Sequence, residues 1–353
     1  MRLVRDIPCG NFKIYLQLEI RRVKCPETGK VRTEKLDFLS KNPFYTKRFA
    51  FYVGRRCEEA SVKSVAEELM LDWKTTKELE KVYLQEKLDR RGDISPNVIG
   101  IDEIAIGSGH NYWIIVSDLE KRIPLYFFGP GRKEEDLDKF YATLSGEKKK
   151  GVRLVVMDMW KAYEKSTKKN VPEAAILYDK FHIISHLGKA LDEIRKSEYQ
   201  KASEQHRTFI KGQKYTLLSH KENLTNNGRA SLKKLLSINK RLNTAYILKE
   251  SFGQLWEYKS EAWARKFFEN WKASLKWQRL KPYEDFCGLI ERHWEGIASF
   301  CKPENKVPLG FVEGFNNKIR TIFKRAYGLR DVEYMKLKIL TSTLPKIDYN
   351  SPT

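Results

Sequence analysis

Three acidic residues stand in sequence contexts that could build a metal site. Asp102 interrupts VIGIDEIAI, an apolar, β-branched run at 98–106, and Asp158 ends RLVVMD, a similar run at 153–158. Glu313 lies near the C-terminus in GFVEGFNNKIR, where the periodicity is helical. Charged residues in buried strands are usually paired or bound to a metal. Because Mg²⁺ prefers carboxylate oxygens and two such ions can catalyse phosphoryl transfer, the three acids predict a candidate two-metal site.

Neighbouring side chains offer rival ligands for such a site. Glu103 follows Asp102 directly, but successive strand residues point to opposite faces, so we expect only one of the two to take part. His182 and His186 are four residues apart and could share one helix face. Two histidines without further ligands do not complete a zinc site, so we expect a structural or DNA-positioning role for His182.

The cysteines indicate neither a disulfide framework nor a zinc site. An odd, scattered set without a CxxC pair is typical of a protein from the reducing cytosol. Cys25 begins CPETGK, which has only the first half of a zinc knuckle, so zinc is not expected as a cofactor. The five cysteines are Cys9, Cys25, Cys57, Cys287 and Cys301.

Charge favours a nucleic-acid partner. The 353 residues carry a formal net charge of +21, and the pI is about 9.6. Such an excess of lysine and arginine favours a polyanionic partner, most simply nucleic acid. The alternative is a soluble basic protein without such a partner. No apolar run approaches the roughly 20 residues of a membrane-spanning helix, and the N-terminus lacks a signal-peptide pattern. We therefore expect a cytoplasmic, nucleoid-associated protein without a membrane partner.

The first part of the chain predicts two small domains. Alternating apolar residues indicate a small β unit at 1–40. The period then becomes helical, and 41–92 predicts a helix-turn-helix domain whose third helix starts at Trp73 with Asp72 as its cap. Lys74, Thr75 and Lys77 would project outward toward DNA. A plain three-helix bundle remains the alternative.

The middle of the chain predicts the order βββαβαβ. Strands at 98–106, 112–117 and 123–128 are followed by a helix, and the acids fall on the first and fourth strands. This order matches an α/β fold with a ribonuclease H-like mixed sheet, its first part at 93–186. A large helical insertion follows at 187–303 and a C-terminal catalytic helix region at 304–345. We expect the five tryptophans near the insertion to form its core rather than to stack on bases: Trp256, Trp263, Trp271, Trp277 and Trp294.

The C-terminal helix shows two stripes. An apolar stripe could pack on the sheet, while a polar stripe could place Glu313 toward the strand acids and Asn317, Arg320 and Lys324 toward phosphate. An ordinary surface helix remains the alternative. The apolar members are Phe315, Ile319, Ile322 and Phe323, and the polar stripe also contains Asn316.

Several long strings resemble bacterial insertion-sequence transposases of the ISL3 family over nearly the whole chain. They are NPFYTKRFAFYVGRRC, IGIDEIAIGSGHNYW, VVMDMWKAY, YDKFHIISHL and VEGFNNKIRTIFKRAYG. The resemblance implies that Asp102, Asp158 and Glu313 are the DDE catalytic triad, with Asp102 preferred over Glu103. It places Arg320 at the basic position seven residues after the glutamate. Relatives carry a zinc-ribbon-like N-terminal module with CxxC pairs, whereas this chain keeps Cys25 alone, so the 1–40 unit is expected to be a degenerate form.

The resemblance also implies an activity. We expect a transposase that cuts transposon-end DNA and joins it to target DNA, using two Mg²⁺ or Mn²⁺ ions held by the triad. Its partners would be terminal inverted repeats, target DNA and further copies of itself in a synaptic complex. Two other hypotheses are a decayed transposase that only binds DNA and a ribonuclease H-like repair or junction nuclease.

Overall fold

A computed structural model describes residues 1–107, 109, 111–308, 310–326 and 328–347. The chain divides into two compact units. Unit 1 combines Met1–Ser95, Glu103–Gly131 and Gly310–Thr353. Unit 2 combines Pro96–Asp102 and Arg132–Leu309. No helix in the described ranges has both the length and the apolar character needed to cross a membrane.

The chain begins with two antiparallel hairpins. Strand β1 (Arg2–Cys9) pairs with β2 (Phe12–Leu18), and β3 (Arg22–Lys24) pairs with β4 (Val31–Thr33). Every residue of β3 and β4 is exposed. The second hairpin therefore owes little of its stability to a hydrophobic face.

Three helices follow the hairpins: α1 (Lys47–Glu59), α2 (Val62–Leu69) and α3 (Trp73–Asp89). Asp72 caps α3 as predicted, accepting hydrogen bonds from the backbone of Lys74 at 2.8 Å and of Thr75 at 3.4 Å. The cap satisfies amides that have no acceptor within the helix, which is why the helix begins there. The apolar faces of the three helices form a shared core of Phe49, Ala50, Val53, Cys57, Val65, Leu69 and Leu79.

A five-stranded mixed sheet confirms the predicted α/β pattern. Its strands lie in the order β7-β6-β5-β8-β9, and β6 pairs antiparallel with β7, whereas β8 pairs parallel with β5 and β9. The predicted βββαβαβ order is correct except for one extra helix, α5, which is short, polar and without buried residues, so hydrophobic periodicity could not reveal it. In chain order the elements are β5 (Val98–Ala105), β6 (Tyr112–Asp118), β7 (Ile123–Phe128), α4 (Glu134–Ala142), α5 (Gly146–Gly151), β8 (Leu154–Met157), α6 (Lys161–Asn170) and β9 (Ala175–Tyr178).

Unit 2 continues with the predicted helical segment. Its helices are α7 (Lys180–Lys201), α8 (Glu204–Gly212), α9 (Lys214–Leu218), α10 (Asn226–Ile238), α11 (Lys240–Phe252), α12 (Glu261–Ala273), α13 (Lys281–Arg292) and α14 (Trp294–Ala298).

The expectation that five tryptophans form the core of this segment is only partly correct. Trp256 and Trp271 are buried, and Trp294 is half-buried. Trp263 is 60% exposed and Trp277 is 86% exposed, so the prediction is wrong for these two. Aromatic content cannot separate a core tryptophan from a surface one, because the neighbours that cover an indole come from distant parts of the chain.

Helices α15 (Gly310–Arg325) and α16 (Val332–Thr341) belong to unit 1. The predicted apolar stripe of α15 is confirmed, because Phe315 and Ile319 are buried in a core with residues of β5, β6, β7 and α16. Asn316 was predicted on the polar stripe but is only 8% exposed. It follows Phe315 directly and lies at the edge of the stripe that packs inward. The other members of the core are Ile104, Trp113, Ile115, Phe127, Met335 and Ile339.

Candidate metal centre and DNA contacts

Parallel strand pairing brings two of the predicted acids together. In the β5–β8 pair, Ile99 lies opposite Val155 and Gly100 opposite Val156. Continuing this register by two residues makes Asp102 level with Asp158, which follows β8. Level residues on neighbouring parallel strands point to the same face, about 4.8 Å apart. The two acids are therefore set side by side at the carboxyl end of adjacent strands, where open α/β sheets commonly bind ligands.

The next strand supplies a histidine to the same place. Strand β9 runs parallel to β8, and Asp179 follows it and caps α7 by accepting a hydrogen bond from the backbone of Phe181 at 2.8 Å. The backbone N–H of Asp179 donates to the carbonyl of Met157 at 3.0 Å. These bonds fix the first turn of α7 beside the end of β8, and that turn carries His182.

The three side chains form a compact group within unit 2. One ligand atom from each of Asp102, Asp158 and His182 lies within 4.8 Å of the other two. His182 Nδ1 is 2.7 Å from Asp158 Oδ1, and the two side chains are 41% and 26% exposed. The group contains Asp102 and not the adjacent Glu103, as strand alternation requires. Among the described residues, no other set of three or more histidine, cysteine or acidic side chains meets the same criterion.

Charge around the histidine favours its protonated form. Burial lowers the pKa of His182, but the carboxylate of Asp158 and the charges of Asp179 and Asp102 raise it by more, so the net pKa lies above the usual histidine value. The pKa of His186, one turn further along α7, is lowered by burial and by the charge of Lys189. The charge of Asp158 raises the pKa of both histidines, but the net change is upward only for His182.

The donor set fits a divalent cation. Asp158 Oδ1 is buried, and it accepts no hydrogen bond of ordinary geometry from the described residues even though His182 Nδ1 is close to it. In the absence of a metal ion, the nearby His182 ring balances part of the charge on this carboxylate. Two carboxylates suit Mg²⁺ or Mn²⁺, and an imidazole beside one of them can hold that carboxylate in position.

Glu313, the third predicted acid, lies in the first turn of α15 in unit 1. Its side chain is exposed and forms no ion pair with residues in the described part of the chain. Its assignment to the same site as Asp102 and Asp158 stays a prediction.

The predicted phosphate-binding residues of α15 are accessible. Asn317, Arg320 and Lys324 are all exposed. Arg320 is exposed, and its Nη1 donates a hydrogen bond to Asn317 Oδ1 at 2.9 Å. This face can offer cations and an amide to an anion, and its contact with DNA remains a prediction.

The predicted DNA-contact residues of α3 differ in their surroundings. Lys74 is exposed, with its Nζ 5.9 Å from the ring centre of Trp73, and Thr75 is half-buried. Lys77, in contrast, lies 2.7 Å from Asp331, the N-cap residue of α16. The ion pair holds the Lys77 ammonium within unit 1. The exposed residues at the start of α3 that could contact DNA are therefore Trp73 and Lys74.

Sequence reasoning missed an aromatic–cation pair beside the acids. Trp160, two residues after Asp158, is 40% exposed, and the Arg132 guanidinium lies 4.4 Å from the centre of its ring. The indole Nε1 donates a hydrogen bond to the Arg132 carbonyl at 3.0 Å. The tryptophan in VVMDMW was visible, but the arginine that covers it is 28 positions away.

Comparisons with known proteins agree on one family. A family model described as "Transposase", of the ISL3 type of DDE transposases, matches residues 99–339. The transposase for insertion sequence element IS1001 of Bordetella parapertussis is 31% identical over 342 residues, covering 96% of this chain and 84% of the relative. The transposase for insertion sequence element IS1557 of Mycobacterium tuberculosis (strain CDC 1551 / Oshkosh) is 24% identical over 356 residues, covering 94% and 79%.

Proposed function

The chain belongs to the ISL3 family of DDE transposases, and on that premise we propose that it cuts the ends of its insertion sequence and joins them to target DNA. The observation that carries the proposal is the meeting of Asp102 and Asp158 at the ends of adjacent parallel strands, with His182 beside them. Paired carboxylates at this place provide the oxygen ligands that metal-dependent phosphoryl transfer needs.

Asp102 and Asp158 would hold divalent cations, and Glu313 would complete the set. Bound Mg²⁺ or Mn²⁺ ions would lower the pKa of the attacking water or 3′-hydroxyl and stabilise the leaving oxygen. The carboxylates would fix the position of the cations, because Asp102 lies within β5 and Asp158 directly follows β8. Sites on strands hold their geometry more precisely than sites on loops. No covalent link between protein and DNA is part of this proposal.

His182 would act through Asp158 rather than on DNA alone. With Nδ1 2.7 Å from the carboxylate, the imidazole restricts the rotation of Asp158 and balances part of its charge when no cation is bound. Groups that orient a ligating carboxylate in this way commonly change metal affinity or activity by about 10- to 100-fold when removed.

DNA would be held by two surfaces of unit 1. On α15, Asn317, Arg320 and Lys324 follow Glu313 along the helix and would contact phosphate near the cleaved bond.

On α3, Trp73 and Lys74 would contact terminal-repeat DNA, with Thr75 close to them. Lys77 was predicted to do the same, and its ion pair with Asp331 would have to be exchanged for a phosphate. Binding through phosphates predicts a steep loss of affinity with salt. Synapsis of two ends would require further copies of the chain.

The test compares Asp158→Asn with Asp285→Asn on a supercoiled donor plasmid that carries the element's own ends, in Mg²⁺. Asp285 is a well-exposed unit 2 acid, 64% exposed and paired with Lys281, so its variant controls for the general loss of a charge. We expect Asp158→Asn to lose cleavage and joining at least about 100-fold while still binding the ends in Ca²⁺.

Three results would contradict the proposal. Cleavage by Asp158→Asn at the parental rate would remove Asp158 from the site. Binding to the ends with no cleavage by the parental chain in Mg²⁺ or Mn²⁺ would favour a decayed transposase that only binds DNA. Cutting of branched DNA without preference for the ends would favour a junction nuclease.

A further inference from the structure

A basic loop in unit 2 holds a tryptophan in solvent. The loop covers 274–280 and joins α12 to α13. Trp277, at its centre, is 86% exposed, more than Trp263, the other strongly exposed tryptophan of this segment, at 60%. Exposing an indole forfeits one of the largest hydrophobic gains that a side chain can make. An arrangement of this kind needs a reason outside the stability of the fold.

The exposure of Trp277 does not result from a loose loop. Leu275 is 4% exposed and Leu280 is fully buried, so both ends of the loop are anchored in the core. The backbone N–H of Gln278 donates to the carbonyl of Leu275 at 3.0 Å. Arg241 of α11 donates to the carbonyl of Arg279. The loop is thus fixed at both ends and at Arg279. The indole is therefore held in solvent by an anchored loop.

The backbone of the loop is strained where the indole is presented. Trp277 has φ +71° and Arg279 has φ +53°, both in the left-handed region that favours glycine. A bulky residue rarely adopts this conformation. Strain of this kind persists where the surrounding structure imposes it, and it is concentrated at functional sites.

The charge of the loop identifies the class of molecule that would cover it. Residues 274–280 contain two basic side chains, Lys276 and Arg279, and no acidic one, and a lysine lies close to each end of the loop. Lys272 and Lys281 are paired with acids of α13. Lys276 and Arg279 are exposed and form no ion pair with residues in the ranges that the structure describes. The Lys276 ammonium lies over one face of the Trp277 ring, 5.4 Å from its centre, so a base would stack on the other face. An aromatic face flanked by unpaired cations is complementary to a nucleobase flanked by phosphates.

We propose that Trp277 stacks on an unpaired base of DNA while Lys276 and Arg279 contact the adjoining phosphates. The proposal rests on the proposed function for its premise that the chain handles DNA, and it adds that part of the substrate is single-stranded or unstacked. A base within an intact duplex has no free face for the indole, so fully paired DNA should not use this contact.

The test measures affinity for two DNAs in Ca²⁺ by fluorescence anisotropy, with full-length chains. One DNA is a short labelled oligodeoxythymidylate, and the other is its duplex with oligodeoxyadenylate. We expect Trp277→Ala to weaken single-strand binding about 10-fold, Trp277→Phe to retain most of it, and neither to change duplex binding more than about 2-fold. Trp263→Ala is the matched control and should leave both affinities unchanged. Circular dichroism checks that each variant is folded.

Other outcomes overturn the proposal. Equal losses on both DNAs, or no loss on the single strand, would remove the stacking contact. A change in sedimentation with intact DNA binding would assign the indole to a contact between copies of the chain. Because binding in Ca²⁺ needs no cleavage, this result is independent of whether Asp158→Asn abolishes cutting.

Discussion

His182 Nδ1 lies 2.7 Å from Asp158 Oδ1, and this pair joins the first turn of a helix to the end of a strand. The contact exists because β9 lies beside β8 and leads directly into α7. It places a cationic or neutral ring against a carboxylate that is expected to bind metal. The position of the Asp158 carboxylate is therefore set both by the sheet and by the first turn of α7.

The first prediction concerns this pair. We expect His182→Ala to lower the cleavage rate about 10- to 100-fold and to raise the Mg²⁺ concentration needed for half-maximal rate, because Asp158 loses the group that orients it. His186→Ala removes the histidine of the next turn of the same helix, which lies outside the group of Asp102, Asp158 and His182, and it should change neither quantity. A lower rate with an unchanged metal requirement would contradict a role through Asp158.

The second prediction concerns the polar face of α15. Arg320→Ala should weaken DNA binding uniformly across sequences and reduce the slope of log affinity against log salt by about 1, because one phosphate contact is lost. Arg325→Ala is the control from the same helix, since Arg325 Nη1 donates to the Glu58 carbonyl at 3.2 Å within unit 1. Equal slopes for the parental chain and Arg320→Ala would remove Arg320 from the DNA surface.

The third prediction is a pH dependence at the start of α16. The Lys77 ammonium and the backbone N–H of Tyr334 lower the pKa of Asp331 from 3.8 to about 2, against the opposing effect of burial. Because the folded-state pKa is lowered, the stabilisation is complete above the ordinary value and is lost as pH falls toward 2.

Asp331→Asn isolates that charge, since asparagine caps a helix about as well as aspartate. We expect it to lower the free energy of unfolding by about 1 kcal/mol at pH 7, a figure that allows for the partial exposure of the pair. Urea unfolding at a series of pH values should show the difference shrinking below pH 3.8. Glu333→Gln, in a pair whose carboxylate is 78% exposed, should have little effect at any pH. A difference independent of pH would mean that Asp331 acts only as a cap.

The fourth prediction concerns a buried carboxylate in unit 1. Glu80 of α3 is 1% exposed and accepts hydrogen bonds from Tyr334 and Lys338 of α16. Lys338→Met should lower the free energy of unfolding by about 3 kcal/mol, because it leaves the Glu80 carboxylate buried without its cationic partner. The double variant Glu80→Gln, Lys338→Met should lose less than the sum of the two single variants. Strict additivity in urea unfolding would contradict the coupling.

The local elements and the kind of chemistry could be predicted from the residues alone. Strand runs and helical stripes depend on period-2 and period-3.6 patterns of apolar residues, which are visible without coordinates. These local patterns predicted three features of the fold. They are the cap of α3 at Asp72, the strands around Asp102 and Asp158, and the buried stripe of Phe315 and Ile319. Motif resemblance indicated the transposase family before any geometry was known.

Which side chains meet and which remain in solvent depends on the packing of distant segments and could not be predicted. The register of β5, β8 and β9 set Asp102 beside Asp158 and brought His182 to them, and no spacing along the chain contains that register. Lys77 was expected to face DNA but is paired with Asp331, 254 residues away. Trp277 was expected in a core but lies exposed on an anchored loop. Each outcome depends on contacts between distant segments, which a pattern of neighbouring residues cannot encode.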